Sequence, residues 1–165
     1  LDDCTITVTC ERPEILSSSA LTVQLMAQSI SMAGGGLSYG GSQSGLEYPL
    51  AYGLDVTSHG ANVGVLVNNG TSRAYPVFTV NGPMPDGIRL DFPGLQGGIV
   101  CSQPVQGVPL VLDSRSRTAQ MGGLDVSRTL SERGFPVIEA GGSLNVVLSS
   151  LGNGFVNCAV HDTYM

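Results

Sequence analysis

The chain of 165 residues contains no lysine and no tryptophan, and only 12% of its residues are charged. Its basic side chains are all arginines (Arg12, Arg73, Arg89, Arg115, Arg117, Arg128 and Arg133), scattered rather than gathered into a stripe. With a formal net charge of −6 and no basic face to neutralise phosphates, nucleic-acid binding is not expected. The 42% share of hydrophobic residues excludes a disordered, highly charged chain. Long apolar runs are missing too: nothing approaches the ~18 consecutive apolar residues of a membrane span. The opening Leu1-Asp2-Asp3 brings no basic segment, so no secretory leader is expected. No P-loop, dinucleotide fingerprint or EF-hand loop occurs, and no cofactor is expected.

Cysteine is sparse. Cys4, Cys10, Cys101 and Cys158 form no CxxC pair and no cysteine–histidine cluster with zinc spacing, so no metal site is expected. If Cys4 to Cys10 is one strand, its end thiols share a face but lie ~20 Å apart, too far to bridge without a bend. The four are read as small buried hydrophobes.

What is abundant is glycine (23 residues), with nine prolines and no three-residue period, which excludes collagen. Most patterned segments alternate with period two. Cys4, Ile6, Val8 and Cys10 alternate with threonines, and Leu21, Val23 and Leu25 with Thr22 and Gln24. Val63, Val65 and Val67 form one face of a run that ends in Asn68-Asn69-Gly70. Ile88, Leu90 and Phe92 alternate with Arg89 and Asp91, and Leu144, Val146 and Leu148 repeat the pattern. Phe155 to Val160 follows across Leu151-Gly152-Asn153-Gly154, which reads as a hairpin. Asn69-Gly70-Thr71 matches a glycosylation triplet and is likewise read as a hairpin turn.

Only Ser127 to Glu132 suggests a short helix or turn, stopped by Gly134 and Pro136. The expectation is an all-β protein: an antiparallel β-sandwich or jelly roll of about ten strands with little helix. Met32 to Gly45 breaks the alternation with clustered glycines and no charge, which predicts a mobile surface loop. The expected division is a leading segment (1–30), a glycine-rich loop (31–48) and a sandwich (49–165). The chain begins on a strand without an initiating methionine, so the leading segment is expected to close a preceding domain of a longer protein.

One catalytic motif is matched. Gly36-Leu37-Ser38-Tyr39-Gly40 fits G-x-S-x-G, and Asp113 and His161 follow in the order of a hydrolase triad. No helix-forming run follows Gly40 and no βαβ alternation surrounds it, so the triplet is read as loop and no catalytic residues are assigned. His59, in Thr57-Ser58-His59-Gly60, and His161 are read as isolated turn or surface residues. Asp113 and Asp125 with Arg115, Arg117 and Arg128 form a charged group around a predicted hairpin, read as solvated ion pairs or as contacts to a neighbouring subunit. Tyr39, Tyr48, Tyr52, Tyr75 and Tyr164 are the polar aromatics on which a sugar could stack.

Val67 to Pro83 (VNNGTSRAYPVFTVNGP) resembles a hallmark of siphophage distal tail proteins, also described as minor tail proteins in phages of actinobacteria. It reads as a strand, an asparagine–glycine turn, and a second strand whose Pro76 suggests an edge position. Gly107 to Asp113 resembles the family's next strand, and Arg117 to Gly123 its partner across a tight turn. Phe135 to Val146 is similar to a later element, with Glu139-Ala140 in place of the usual proline. Val160 to Met165 is similar to the closing strand, with His161-Asp162 in place of a basic residue. The resemblance covers about residues 20–165.

It implies a galectin-like sandwich at 49–165, with residues 1–30 as the end of a ring-forming β domain plus an entry strand. It further implies structural, non-enzymatic work in a virion assembled in the bacterial host cytoplasm. There a homo-hexameric ring at the tail tip would link the tail tube to hub and fibre proteins. The alternative expectation is a carbohydrate-binding sandwich that recognises host cell-wall glycan.

Overall fold

A computed structural model describes residues 14–27 and 62–165. The described residues are nearly all β, in two antiparallel sheets, as the alternation predicts. The first sheet has six strands in the order β1 (Ile15–Met26), β11 (Phe155–Tyr164), β3 (Val77–Asn81), β6 (Leu110–Asp113), β7 (Thr118–Met121) and β8 (Leu124–Asp125). The second has five, ordered β2 (Val63–Val67), β10 (Ser143–Leu148), β4 (Ile88–Asp91), β5 (Gly98–Cys101) and β9 (Leu130–Arg133). Residues 15–26, part of the expected leading segment, are thus one edge of the six-stranded sheet. The strand at Cys4–Cys10 and the glycine-rich loop lie outside the described residues.

The core lies between the sheets and draws on both. Phe78, Val80, Leu110, Leu112, Val156 and Cys158 come from the six-stranded sheet; Leu66, Leu90, Ile99, Cys101, Val146 and Leu148 come from the other. Phe78 and Phe92 meet across the interface, ring centroids 5.6 Å apart and tilted by 37°. Strands β3, β4, β6 and β10 bury every second side chain, because successive side chains point to opposite faces. Cys101 and Cys158 are free and buried, as small hydrophobes would be. Burial pushes the Cys158 thiol up to about 12.

Both expected hairpins turn out to be crossings between the sheets. The turn after β2 leads to β3 in the opposite sheet, and Leu151–Gly154 carries β10 to β11, also in the opposite sheet. A hairpin and such an arch look alike in sequence; what separates them is what the turn packs on. Asn68 is fully buried. Its amide donates to the Ser72 carbonyl (2.7 Å) and the Glu139 carbonyl (3.2 Å), and its Oδ1 accepts from the N–H groups of Gly70 (3.0 Å) and Thr163 (3.3 Å). A β-carbon at Gly70 would lie 2.0 Å from the Thr163 carbonyl oxygen, so the turn is pressed onto β11. A β-carbon at Gly154 would likewise lie 2.3 Å from the Asn81 carbonyl oxygen.

Two other expectations are corrected, and a third holds in part. In β2 the valines 63 and 65 face solvent and Leu66 faces the core, the reverse of the reading that made the valines the buried face. The cause is Gly64, whose β-carbon would lie 2.6 Å from Val23 Cγ1 and 2.8 Å from Leu25 Cδ2, so β1 and β2 approach where a larger side chain has no room. Pro76 does not mark an edge. It sits one residue ahead of β3, which is internal between β11 and β6, and its carbonyl accepts from the Ser114 N–H at 3.2 Å. The stretch from Ser127 is a 3₁₀ turn at Ser127–Thr129 that passes directly into β9.

The hairpin β6–β7 is present as expected, with Arg117 in the left-handed region at φ 56°. Among the described residues the members of its charged group do not pair with one another, and Arg115 pairs instead with Glu14. Asp113 accepts from the Arg115 N–H and the Ser116 hydroxyl, both at 2.8 Å, while Asp125 accepts from the Ser127 N–H at 2.8 Å. The carboxylates hold turn backbone, an arrangement open to short acidic side chains.

Candidate functional site: a polar depression on the six-stranded sheet

The outer face of the six-stranded sheet carries a depression of about 150 Å³ lined by Leu16, Tyr75, Val77, Asp113, Arg115, His161 and Thr163. Strand order assembles it. Val77 of β3 pairs with Asp113 on one side and Ala159 on the other, so the end of β6 and the last turns of β11 flank β3. Tyr75 enters just ahead of β3, and Arg115 projects from the β6–β7 turn that Asp113 organises.

Arg115 is the best-anchored cation on this face. Its guanidinium carbon lies 5.0 Å from the centre of the Tyr75 ring, and its Nη1 donates to Glu14. The hydrogen bond to Glu14 holds its pKa above the ordinary arginine value, with the carboxylate's charge acting in the same direction. Cation–ring contacts of this kind contribute about 0.5–1 kcal/mol at exposed sites and fix the plane of the guanidinium.

His161 is oriented by β1. The pairing of β1 with β11 shifts register between Leu16 and Ala20, and this irregularity turns Ser17 toward β11. His161 Nδ1 lies 2.9 Å from the Ser17 carbonyl, and the Asp162 N–H donates to Ser17 Oγ at 3.1 Å. A carbonyl oxygen can only accept, so Nδ1 carries a proton, and Nε2 is the ring nitrogen left open to a further partner. Thr163, buried beneath, donates to the His161 carbonyl at 3.2 Å.

Two of the three triad-order residues therefore meet in one depression, yet not as a triad. Each Asp113 oxygen accepts one bond from its own turn, and the His161 nitrogen that an orienting carboxylate would take is bonded to Ser17. Ser38, His59, Tyr39, Tyr48 and Tyr52 lie outside the described residues, and Tyr164 is exposed near the end of β11. Asp125, Arg117 and Arg128 do not line the depression. His161 is a strand residue and not a turn residue. Sequence reasoning missed Glu14, Leu16, Ser17 and Thr163. Glu14 and Arg115 are 101 positions apart, and no local pattern connects them.

A second depression, about 240 Å³, lies between β4, β5 and the Ser149–Leu151 segment of the other sheet. Beside it, burial alone would raise the Asp91 carboxyl, but the Ser149 hydroxyl and the Arg89 guanidinium outweigh burial and hold it below its ordinary 3.8. Among the described residues no group of three His, Cys, Asp or Glu side chains is placed to hold a metal ion, and no helix is long and apolar enough to cross a membrane. No family model matches the chain, and no curated protein or solved structure matches it.

Proposed function

We propose that this chain is an assembly module of a tailed-phage virion, part of a homo-hexameric ring at the tail tip that joins the tail tube to hub and fibre proteins. The assembly reading is carried by one observation, the uncharged flank formed by β1 and β2. β1 runs for twelve residues without a charged side chain, and among the described residues its outer edge is unpaired. Ile15 (67% exposed), Leu16 (48%) and Leu21 (42%) lie along it, beside Val63 (49%) and Val65 (47%) of β2, which ends the other sheet. A long apolar edge without charge or proline is a template for pairing with another chain, and isolated proteins usually guard against it.

The tail-tip location and the six-fold symmetry come from the sequence resemblance. Residues in the resembling segments do structural work: Asn68 and Gly70 seat the first arch on β11, and the Gly122-Gly123 turn, at φ 58° and 83°, joins β7 to β8. The test is light scattering and negative-stain imaging of the purified protein, with antibody labelling of intact particles. Six-fold rings and label at the tail tip are expected. A monomer at every concentration together with unlabelled particles would overturn the reading.

A further inference from the structure

The depression around Tyr75 carries polar groups that the apolar flank does not, although Leu16 borders both. Its wall combines an aromatic ring with two aliphatic side chains, Leu16 and Val77. Its polar groups alternate in kind. Arg115 offers guanidinium N–H donors beyond the one that Glu14 takes, His161 Nε2 is open to a hydroxyl partner, and each Asp113 oxygen retains a lone pair beyond its one bond to the turn.

The charges select further. Arg115 is already matched by Glu14 and Asp113 adds a carboxylate, which disfavours an anion; the guanidinium in the same wall disfavours a cation. A ligand with many hydroxyls, each able to donate and accept, and with one apolar face satisfies all of these groups together. At about 150 Å³ the space is below the roughly 300–1,000 Å³ of drug-sized pockets, room for one ring and not for a long chain.

We infer that this depression is a subsite for one ring of a neutral saccharide, with Tyr75, Leu16 and Val77 against the apolar face of the ring and Arg115, Asp113 and His161 Nε2 bonding its hydroxyls. The inference does not rest on the tail-module reading: a protein that never forms rings could still bind sugar here.

The experiment is a titration of the full chain, followed by NMR, with glucose, galactose, mannose, arabinose and N-acetylglucosamine in turn, each to about 50 mM, a range that reads millimolar dissociation constants. Glucuronate serves as the charged comparison. At least one neutral sugar should shift the resonances of Tyr75, Arg115 and His161 saturably. Tyr75→Ala should weaken that sugar about fivefold, Tyr75→Phe should retain it, and Val65→Ser on the other sheet should leave it unchanged. Because Tyr75→Ala could disturb the start of β3, Tyr75→Phe and Arg115→Met are read beside it, and Arg115→Met should weaken binding by a similar factor. No saturable shift with any sugar, shifts that map elsewhere, tighter binding of glucuronate, or equal affinity in folded Tyr75→Ala protein would overturn the inference.

Discussion

The two lateral flanks of the sandwich are built by opposite rules. Among the described residues, β1 and β2 end their sheets on one side, with seventeen residues between them and no charge in either strand. On the other side β8 spans only two residues, and β9 exposes Ser131, Glu132 and Arg133. Shortness and charge are the usual means of keeping a sheet edge from recruiting another strand. One flank is guarded and the other open, although both belong to the same pair of sheets. A head-to-tail contact that joined the open edge to the guarded one would have a poor receiving surface, so the open flank is better suited to a different surface or a different chain.

The comparison can be broken most severely where the open flank is tied to the core. Asn68→Leu removes the side chain that satisfies carbonyls and N–H groups from the first arch, the Glu139 region and β11. The buried partners left unpaired should cost about 3–5 kcal/mol, read as a lower urea midpoint. Gly64→Val comes next. Its first side-chain atom would already press on Val23 and Leu25, and overpacking there should cost about 1–3 kcal/mol in the same assay. An unchanged midpoint in Asn68→Leu would show that the arch is not held by these bonds, and one in Gly64→Val that β1 and β2 do not meet as described.

Smaller effects sharpen the contrast between the flanks. Leu21→Lys places a charge on the open edge; it should abolish self-association seen by light scattering while moving stability by no more than about 0.5 kcal/mol. At the guarded side, Glu132→Ala removes the longer of the two contacts made by the exposed Arg89, 3.6 Å against 2.9 Å for Asp91. It should leave association unaltered and cost less than about 0.5 kcal/mol. The smallest effect is that of acid. The Asp91 pKa is depressed in the fold, so its contribution is present above the ordinary carboxylate value and is lost as the pH falls through the folded value. Thermal melts below pH 4 should therefore show a shallower decline for Asp91→Asn than for the parent.

Much of the fold was legible in the alternation. The runs at Leu21–Leu25, Ile88–Phe92, Leu144–Leu148 and Phe155–Val160 all fall within or along strands, and the buried face was read correctly in Ile88–Phe92 and Leu144–Leu148. The turns were legible as turns but not as crossings, because a strand, a glycine turn and a strand have the same local pattern whether the partners pair or separate. β2 was read inside out because three valines outweigh one leucine until Val23 and Leu25 are seen closing over Gly64. Less of the site was readable. Asp113, Arg115, Tyr75 and His161 were each noted for separate reasons, and only the neighbouring positions of β3, β6 and β11 bring them to one place.

By itself, the amino-acid order determined which residues extend, which turn, and which two faces each strand presents, since these depend on backbone sterics and on side chains one or two positions apart. Only the tertiary structure decided which sheet each strand joins, which face of β2 is inward, and that Glu14 meets Arg115 while Ser17 meets His161. Those outcomes depend on groups up to 144 positions apart competing for the same space and the same hydrogen bonds. No property of a short segment contains that competition.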